Sequence, residues 1–243
     1  MLILALDTSD LSGSFSVLNG VNTIEKPLLD NEKTAQILIP QIKTMLESEG
    51  YSLADVALHA VATGPGSFTG IRIGLTTAKT FAYAAKKKII GINSLAAIAM
   101  AAKFRNFWLS GSITIVMNAF RKQMFWATFD FDDFSEQAFE ANNRTKVVDQ
   151  SDLFHVLNSA EQSNHLICGP GTRQFTAVDL DQFGERVLPA ESFESPAIGV
   201  GLLAAIRANR NDFDDPIKLL PNYFRGSAAE EKLKIAGKTS LKK

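Results

Sequence analysis

The residues best placed to do chemistry lie in a glycine-rich stretch ahead of a predicted helix. Residues 63–74 read TGPGSFTGIRIG and contain Gly64, Gly66 and Gly70. A loop of this kind presents backbone N–H groups to an anion such as a nucleotide phosphate. The stretch fits neither common phosphate motif, because Ile71 replaces the P-loop lysine and Thr69 replaces the third glycine of the dinucleotide fingerprint. Two interpretations remain: weak binding of ATP or ADP, and a tight turn for close helix–strand packing, which the spacing favours.

Asp7 is the second candidate, because it ends an apolar run that predicts a first strand at residues 2–6. A polar turn from Thr8 to Ser12 follows it. A carboxylate at the end of a strand can hold Mg²⁺ through water beside a phosphate. The alternative is a solvated turn aspartate, and the sequence does not separate the two.

The other reactive side chains form no pattern for metal or nucleophilic chemistry. The histidines, His59, His155 and His165, make no H-x-x-x-H or H-x-x-E-H pair, and no G-x-S-x-G stretch is present. The single cysteine, Cys168, follows residues typical of a strand, which predicts a buried side chain rather than a nucleophile. The sequence therefore predicts no catalytic residue and no metal site.

Composition narrows the class of protein further. The 243 residues are 46% hydrophobic and 21% charged, as is ordinary for globular proteins, and the net charge is −1. No overall field therefore attracts nucleic acid or a membrane. No apolar run reaches the ~20 residues of a membrane helix. One cysteine agrees with a reducing compartment, so we expect a cytoplasmic protein without membrane contact.

The order of elements predicts an α/β protein with two similar lobes. A strand hairpin opens the chain and is followed by alternating helices and strands, with helices at 32–49, 69–85 and 94–103 and strands at 57–63 and 89–92. A looser version has strands at 112–117, 123–129 and 165–168, a helix at 195–208 and a polar linker at 209–216. We divide the chain into an N-terminal lobe, a second and smaller lobe, and a C-terminal segment with a lysine-rich tail, at 1–103, 104–215 and 216–243.

Aromatic residues cluster around the second pair of strands. They are Phe104, Phe107, Trp108, Phe120, Phe125, Trp126 and Phe129. Such rings can stack on nucleic-acid bases. Few basic residues lie among them beyond Arg121 and Lys122, so the pattern favours core packing. The lysine-rich tail is either solvated or in contact with an RNA backbone.

Two long helices carry uncharged residues on the side opposite their predicted buried stripe. The stripes are Ala35, Leu38, Ile39, Ile42, Met45 and Leu46 on the first helix, and Ile71, Leu75, Ala78 and Ala82 on the second. The opposite sides carry Ile37, Pro40 and Thr44 on the first, and Ile73, Thr76, Thr77, Thr80 and Ala84 on the second. A surface helix normally places charge there, so we expect a second layer on both helices. A partner protein is favoured over the second lobe or the tail.

Several stretches together resemble the bacterial TsaB (YeaZ) family of tRNA threonylcarbamoyladenosine biosynthesis proteins. They are ILALDTS, KTAQILIPQIKTMLESEGYSLADV, AVATGPGSFTGIRIGLTTAKTFAYA, IIGINSLAAIA and LLPNYFRGSAAEEK, of which GPGSFTGIRIG is the specific part. The resemblance covers residues 1–103 well, the strands after Gly111 loosely, and residues 221–230 again. Lys33 and the stretch from Asn118 to Arg121 depart from the family pattern, which puts any family role of those positions in doubt.

The resemblance implies a two-lobed actin-like ATPase (ASKHA) fold, each lobe a mixed sheet with flanking helices. It implies a non-catalytic subunit that binds the catalytic paralogue TsaD, joined by the ATPase TsaE. TsaD adds a threonylcarbamoyl group to the adenosine beside the anticodon of tRNAs that read A-starting codons. The contact would use the two long helices, and the same surface can form a homodimer when the subunit is alone. Any contact with tRNA would be indirect or weak.

Two rival functions stay open at this point. The first is an ATP-using transferase of the same fold, with Asp7 and the loop from Gly64 to Gly70 holding the nucleotide. The second is a metallopeptidase, for which the sequence offers no zinc motif. No cofactor is expected beyond weakly bound ATP or ADP.

Overall fold

The computed structural model describes residues 1–10, 13–20, 22–28, 34–107, 109–131, 144–159, 165–193 and 195–224. Its strands are β1 Leu2–Asp7, β2 Ser14–Asn19, β3 Asn22–Pro27, β4 Leu58–Gly64, β5 Lys88–Asn93, β6 Ser112–Asn118, β7 Gln123–Asp130, β8 Lys146–Asp149 and β9 His165–Cys168. Its α-helices are α1 Thr34–Ser48, α2 Phe68–Ala85, α3 Ser94–Arg105, α4 Gln150–Ser159, α5 Ala177–Phe183 and α6 Ala197–Asn209. Lys33, Trp108 and the lysine-rich tail, about which the sequence made predictions, lie outside the described residues.

The first sheet has five strands in the order β3-β2-β1-β4-β5. The first three strands form an antiparallel meander, and β4 and β5 run parallel to β1. Along β1, Leu4 and Leu6 face the core under α1 and α2, whereas Ile3 and Ala5 face the core under α3 and α6. Because both faces are covered, the central strands read as continuous apolar runs rather than as alternating ones.

The second sheet repeats the same arrangement with one strand fewer. Its order is β8-β7-β6-β9, with an antiparallel meander from β6 to β8 and with β9 parallel to β6. Each sheet thus places its first strand between a hairpin partner and a parallel strand. The predicted two-lobed, actin-like α/β fold is confirmed.

Helices α3 and α6 form the layer between the two sheets. Every residue of α3 from Ser94 to Ala102 is buried, as expected for a helix that is apolar on all sides. α3 contacts β4 and β5 of one sheet and β6 and β7 of the other, and it packs on α6. Although α6 follows the second sheet in the chain, it packs on β1, β2, β4 and β5 of the first sheet.

The predicted division of the chain into lobes at 1–103 and 104–215 and a C-terminal segment at 216–243 stays a prediction.

The segment after α6 is held against the first sheet, so the predicted polar linker at 209–216 is not a free connection. The Asp214 carboxylate accepts a hydrogen bond from Gly91 N at 2.8 Å, and Asp214 N donates to Ile89 O at 2.9 Å. The Arg207 guanidinium donates to Gly91 O at 2.9 Å and to Asp214 at 3.3 Å. The local sequence is polar because these groups pair with one another and with the edge strand β5.

The structure divides the predicted aromatic cluster. Phe125 and Phe129 are buried in the core shared by the two sheets, as predicted. For Phe104, Phe107 and Phe120, which are 50%, 79% and 58% exposed, the core prediction is wrong. Phe104 and Phe107 lie at and just beyond the end of α3, and Phe120 lies at a hairpin tip, so none of these three rings reaches the core.

Within the described residues, no helix is both long and apolar enough to cross a bilayer.

Close contact between α3 and α6 gives a test of the packing between the sheets. A Cβ added at Gly199 would lie 1.9 Å from Ala97 O. Glycine to alanine inside an open helix normally stabilises by about 1 kcal/mol. We expect Gly199→Ala to destabilise the protein instead, by roughly 1–3 kcal/mol, because the helices must separate. Urea denaturation measures this difference, and a gain in stability would contradict the packing described.

Candidate functional site

The glycine stretch forms the turn between β4 and α2. β4 ends at Gly64 and α2 begins at Phe68, where the hydroxyl of the N-cap residue Ser67 accepts a hydrogen bond from Gly70 N at 3.2 Å. Gly64 and Gly66 have φ angles of +113° and +151°, a conformation that favours glycine. The stretch is therefore a strand–turn–helix connection, as predicted.

The turn after β1 lies directly on these glycines. Ser67 N donates to Ser9 O at 2.6 Å, and the Thr8 hydroxyl donates to Gly70 O at 2.6 Å. A Cβ at Gly66 would lie 2.2 Å from Ser9 O, and one at Gly70 would lie 1.9 Å from Thr8 O. Gly66 and Gly70 thus admit another stretch of backbone, which supports the packing interpretation. Nucleotide binding by Asp7, Gly64, Gly66 and Gly70 stays a prediction.

Asp7 is buried at the end of β1, and the alternative of a solvated turn aspartate is wrong. Its Oδ1 accepts a hydrogen bond from Ser9 N at 2.8 Å, and its Oδ2 is buried without a partner among the described residues. Thr8 and Ser9 are also buried. Burial raises the pKa of the Asp7 carboxyl from 3.8 to about 6, despite the opposing hydrogen bonds from Ser9. The fold therefore buries this carboxyl although its charged form is more stable in water.

The cleft between the lobes is closed beside Asp7. Asp10, in the turn after β1, forms a 3.2 Å ion pair with Arg173, which follows β9. Beneath this pair is a cavity of about 10 Å³, lined also by Ser9, Ile98, Met117, Pro170, Phe193 and Pro196. That is space for a single water molecule, against roughly 300–1,000 Å³ in a small-molecule pocket.

The histidines and the cysteine occupy structural positions. Cys168 is buried, as predicted, and burial raises the pKa of its thiol to about 12. His59 is buried beneath α2 and burial lowers its pKa to about 4, while His165 lies between the hydroxyls of Ser112 and Thr114 at 2.6 and 2.9 Å. In the part of the chain that the structure describes, no group of three acidic, histidine or cysteine side chains is arranged to hold a metal ion.

The α1–α2 face is the surface formed by Ile37, Pro40, Thr44, Ile73, Thr76, Thr77, Thr80 and Ala84. Ile37, Ile73 and Thr77 are half-buried, and the other five are exposed. The inner stripe of α2 is buried as predicted, but of the six stripe residues predicted on α1 four are buried, namely Leu38, Ile42, Met45 and Leu46. Ala35 and Ile39 are exposed, and Ile39 is 50% exposed, so their assignment to the inner stripe is wrong. The exposed apolar area of α1 is therefore wider than predicted.

Both charged residues of α2 are engaged by the C-terminal segment rather than projecting from the α1–α2 face. Arg72 lies over the Phe68 ring at 3.7 Å and its Nε donates to the Tyr223 hydroxyl at 2.8 Å. Lys79 donates to the carbonyls of Ile217 and Leu219 at 3.2 and 2.8 Å. Both cations of α2 are thus held by contacts within the chain, while on α1 the exposed Lys43 and Glu47 pair with each other.

Two features next to the α1–α2 face were missed from the sequence. Tyr83 is 67% exposed and lies seven residues after Thr76, a spacing that places both on one side of α2 and could have revealed it. A groove of about 230 Å³ lies alongside, lined by apolar residues of α1, of α2 and of the loop after α1, with the Lys43–Glu47 pair at its edge. Ile39, Tyr51 and Phe81 are among its lining residues.

Comparison with known proteins agrees with the resemblance seen in the sequence. A family model described as TsaD, tRNA N6-adenosine threonylcarbamoyltransferase, matches residues 25–153. The tRNA threonylcarbamoyladenosine biosynthesis protein TsaB of Escherichia coli is 28% identical over 96% of this chain and 98% of its own length. The protein of the same name from Haemophilus influenzae is 39% identical over 42% of this chain and 43% of its own.

A solved structure shares the fold over nearly the whole chain. YeaZ from Pseudomonas aeruginosa superposes with a TM-score of 0.70 at 20% identity, covering 91% of this chain and all of that one (100%). At this identity the superposition supports the fold and carries no argument about chemistry.

The burial of Asp7 predicts how stability depends on pH. Because the folded pKa lies above the unfolded value of 3.8, the neutral form stabilises the fold below that value, and this contribution is lost as the pH rises through about 6. The difference corresponds to roughly 3 kcal/mol. We expect Asp7→Asn, which carries no charge at any pH, to raise Tm relative to the parent chain more near pH 8 than near pH 4.

Thermal unfolding across this pH range measures the effect. Asp181→Asn is the matched control, because Asp181 is an exposed aspartate on α5. An Asp7→Asn effect that is the same at both pH values would contradict the buried carboxylate.

Proposed function

Because this chain belongs to the TsaB (YeaZ) family of tRNA threonylcarbamoyladenosine biosynthesis proteins, we propose that it is a scaffold subunit that acts by binding TsaD. In this role the chain has no catalytic residue of its own. It activates the paralogue that adds the threonylcarbamoyl group to the adenosine beside the anticodon, in a cytoplasmic assembly that includes the ATPase TsaE. The α1–α2 face is its docking surface, used between two copies of the chain when TsaD is absent.

The observation that carries this proposal is the uncharged α1–α2 face. Thr76, Thr80 and Ala84 are exposed on α2, with Tyr83 beside them, while Pro40 and Thr44 are exposed on α1. Both helices pack on the same core, so a partner helix pair can lie across them and complete a second layer. Aromatic and small uncharged side chains at the centre of a surface are typical of protein–protein contacts.

The closed cleft supports a role without chemistry. Asp7 has no metal-binding cluster around it in the described residues, and the Asp10–Arg173 ion pair links the turn after β1 to the segment after β9. Gly66 and Gly70 contact the protein's own Thr8–Ser9 backbone. An active transferase needs an open pocket and groups that converge on its substrate.

A single charge on α2 tests the docking surface. We expect Thr80→Glu to abolish co-purification with TsaD, because the contact would bury an unpaired carboxylate at a cost that a contact of this size cannot absorb. Thr80 is exposed, so the isolated variant should fold normally. Val178→Glu is the control, since Val178 is 75% exposed on α5 in the other lobe.

A single pull-down with TsaD compares the two variants, for which we expect opposite results. Loss of TsaD with Thr80→Glu and retention with Val178→Glu supports the α1–α2 face. Undiminished co-purification of Thr80→Glu would mean that TsaD docks elsewhere or does not bind this chain. Reconstituted threonylcarbamoylation of tRNA, with and without the chain, then tests the role of the scaffold.

One observation favours a second candidate, an ATP-binding transferase. The buried, unpartnered Oδ2 of Asp7 is the kind of group that a bound cation or ligand would satisfy. Titration calorimetry with ATP and Mg²⁺ on the isolated chain separates the two functions. The scaffold function predicts at most weak heat that Asp7→Ala does not change, whereas tight binding lost in Asp7→Ala would favour the transferase.

A further inference from the structure

The hairpin turn between β6 and β7 has an unusual backbone. Phe120, Arg121 and Lys122 are consecutive, and all three have positive φ angles, of 61°, 53° and 61°. Side chains with a Cβ are disfavoured in this left-handed region, and three in succession are rare. Asparagine or glycine would form such a turn more easily, so three larger side chains in this conformation call for a reason.

Hydrogen bonds fix this turn from both sides. Phe120 N donates to the Asn118 carboxamide oxygen at 2.6 Å, and Gln123 N donates to Phe120 O at 3.0 Å. From outside the hairpin, Gln150 N at the start of α4 donates to Lys122 O at 2.8 Å. Strained backbone persists where its surroundings determine it in this way, and it is concentrated at functional sites.

The side chains that this turn presents are one aromatic ring and two cations. Phe120 is 58% exposed, and Arg121 and Lys122 are both exposed. Farther from the turn, Lys146 on the outer strand β8 lies 5.2 Å from the ring of Trp126 on β7. Among the described residues, two acidic groups lie near the turn: Asp149, which accepts a hydrogen bond from the Gln123 side chain at 3.1 Å, and the exposed Asp152 in the first turn of α4. Cations and an exposed ring are thus concentrated locally on a chain whose net charge is −1.

We propose that the β6–β7 turn binds single-stranded RNA, with an unpaired base stacked on Phe120 and the neighbouring phosphates paired with Arg121 and Lys122. Proteins that bind single strands combine these two elements, stacking rings and cations that follow the backbone. A rigid tip lowers the entropy lost when the ring is covered. A protein partner is less well matched, because the ring stands beside two charges and without other apolar surface on the turn. This contact goes beyond the scaffold function, which requires no RNA contact from this chain.

Binding of labelled tRNA to the isolated full-length chain tests the proposal. Fluorescence anisotropy is measured in about 50 to 300 mM KCl for the parent chain and two variants. Phe120→Leu keeps an apolar side chain and its Cβ but removes the ring, and we expect roughly 5- to 150-fold weaker binding. Arg121→Gln with Lys122→Gln should lower the slope of log K against log salt by about 1.4 to 1.8.

A double variant elsewhere on the chain provides the control. Lys86→Gln with Arg210→Gln also removes two exposed cations, at the ends of α2 and α6, and should leave both affinity and salt slope nearly unchanged. The proposal is overturned if the parent chain does not bind the tRNA, or if the turn variants behave like this control. A separate pull-down with TsaD covers a protein contact: turn variants that keep tRNA binding but lose TsaD would also overturn the proposal. The anisotropy assay itself does not use TsaD, so its outcome is independent of the α1–α2 face.

Discussion

The contact between the Thr8–Ser9 turn and the glycine turn is the constraint on which the rest of the molecule depends. The Thr8 hydroxyl donates to Gly70 O and accepts from Gly74 N at 3.1 Å, so the first strand directly fixes the start of α2. Backbone meets backbone here, and glycines at positions 66, 70 and 74 leave the required space. The direction of α2, and with it the position of the outward-facing threonines, follows from this contact.

The same contact explains why Asp7 is buried. The turn that follows it is covered by the glycine turn on one side and by the second lobe on the other, where Asp10 meets Arg173. Burial of this carboxylate raises its pKa, and the hydrogen bonding from Ser9 offsets only part of that rise. The backbone of Thr8 and Ser9 thus lies directly against Gly66 and Gly70.

Much of the fold could be predicted from local sequence patterns. The predictions that failed concern residues whose surroundings come from distant parts of the chain. The 3.6-residue period located the inner stripe of α2, and the spacing of Gly64, Gly66 and Gly70 correctly favoured a packing turn. The burial of Asp7 could not be predicted, because the residues that cover it come from Ser9 locally and from the distant second lobe. The exposure of Phe120 was missed because an aromatic residue between two strands normally packs inward, and the left-handed turn is not encoded by glycine here. The local sequence pattern predicts which side of a helix or strand is buried. The contacts made by its ends and by its outer side depend on residues that are distant in the sequence.

The capture of Arg72 and Lys79 by residues 217–223 gives the end of the chain an electrostatic role. These two cations are the charged residues of α2, and the terminal segment directs both of them along one flank of the helix. A chain shortened before Ile217 would release the Lys79 ammonium and the Arg72 guanidinium next to an otherwise neutral surface. Residues 217–223 therefore decide where both cations of α2 lie on the surface of the helix.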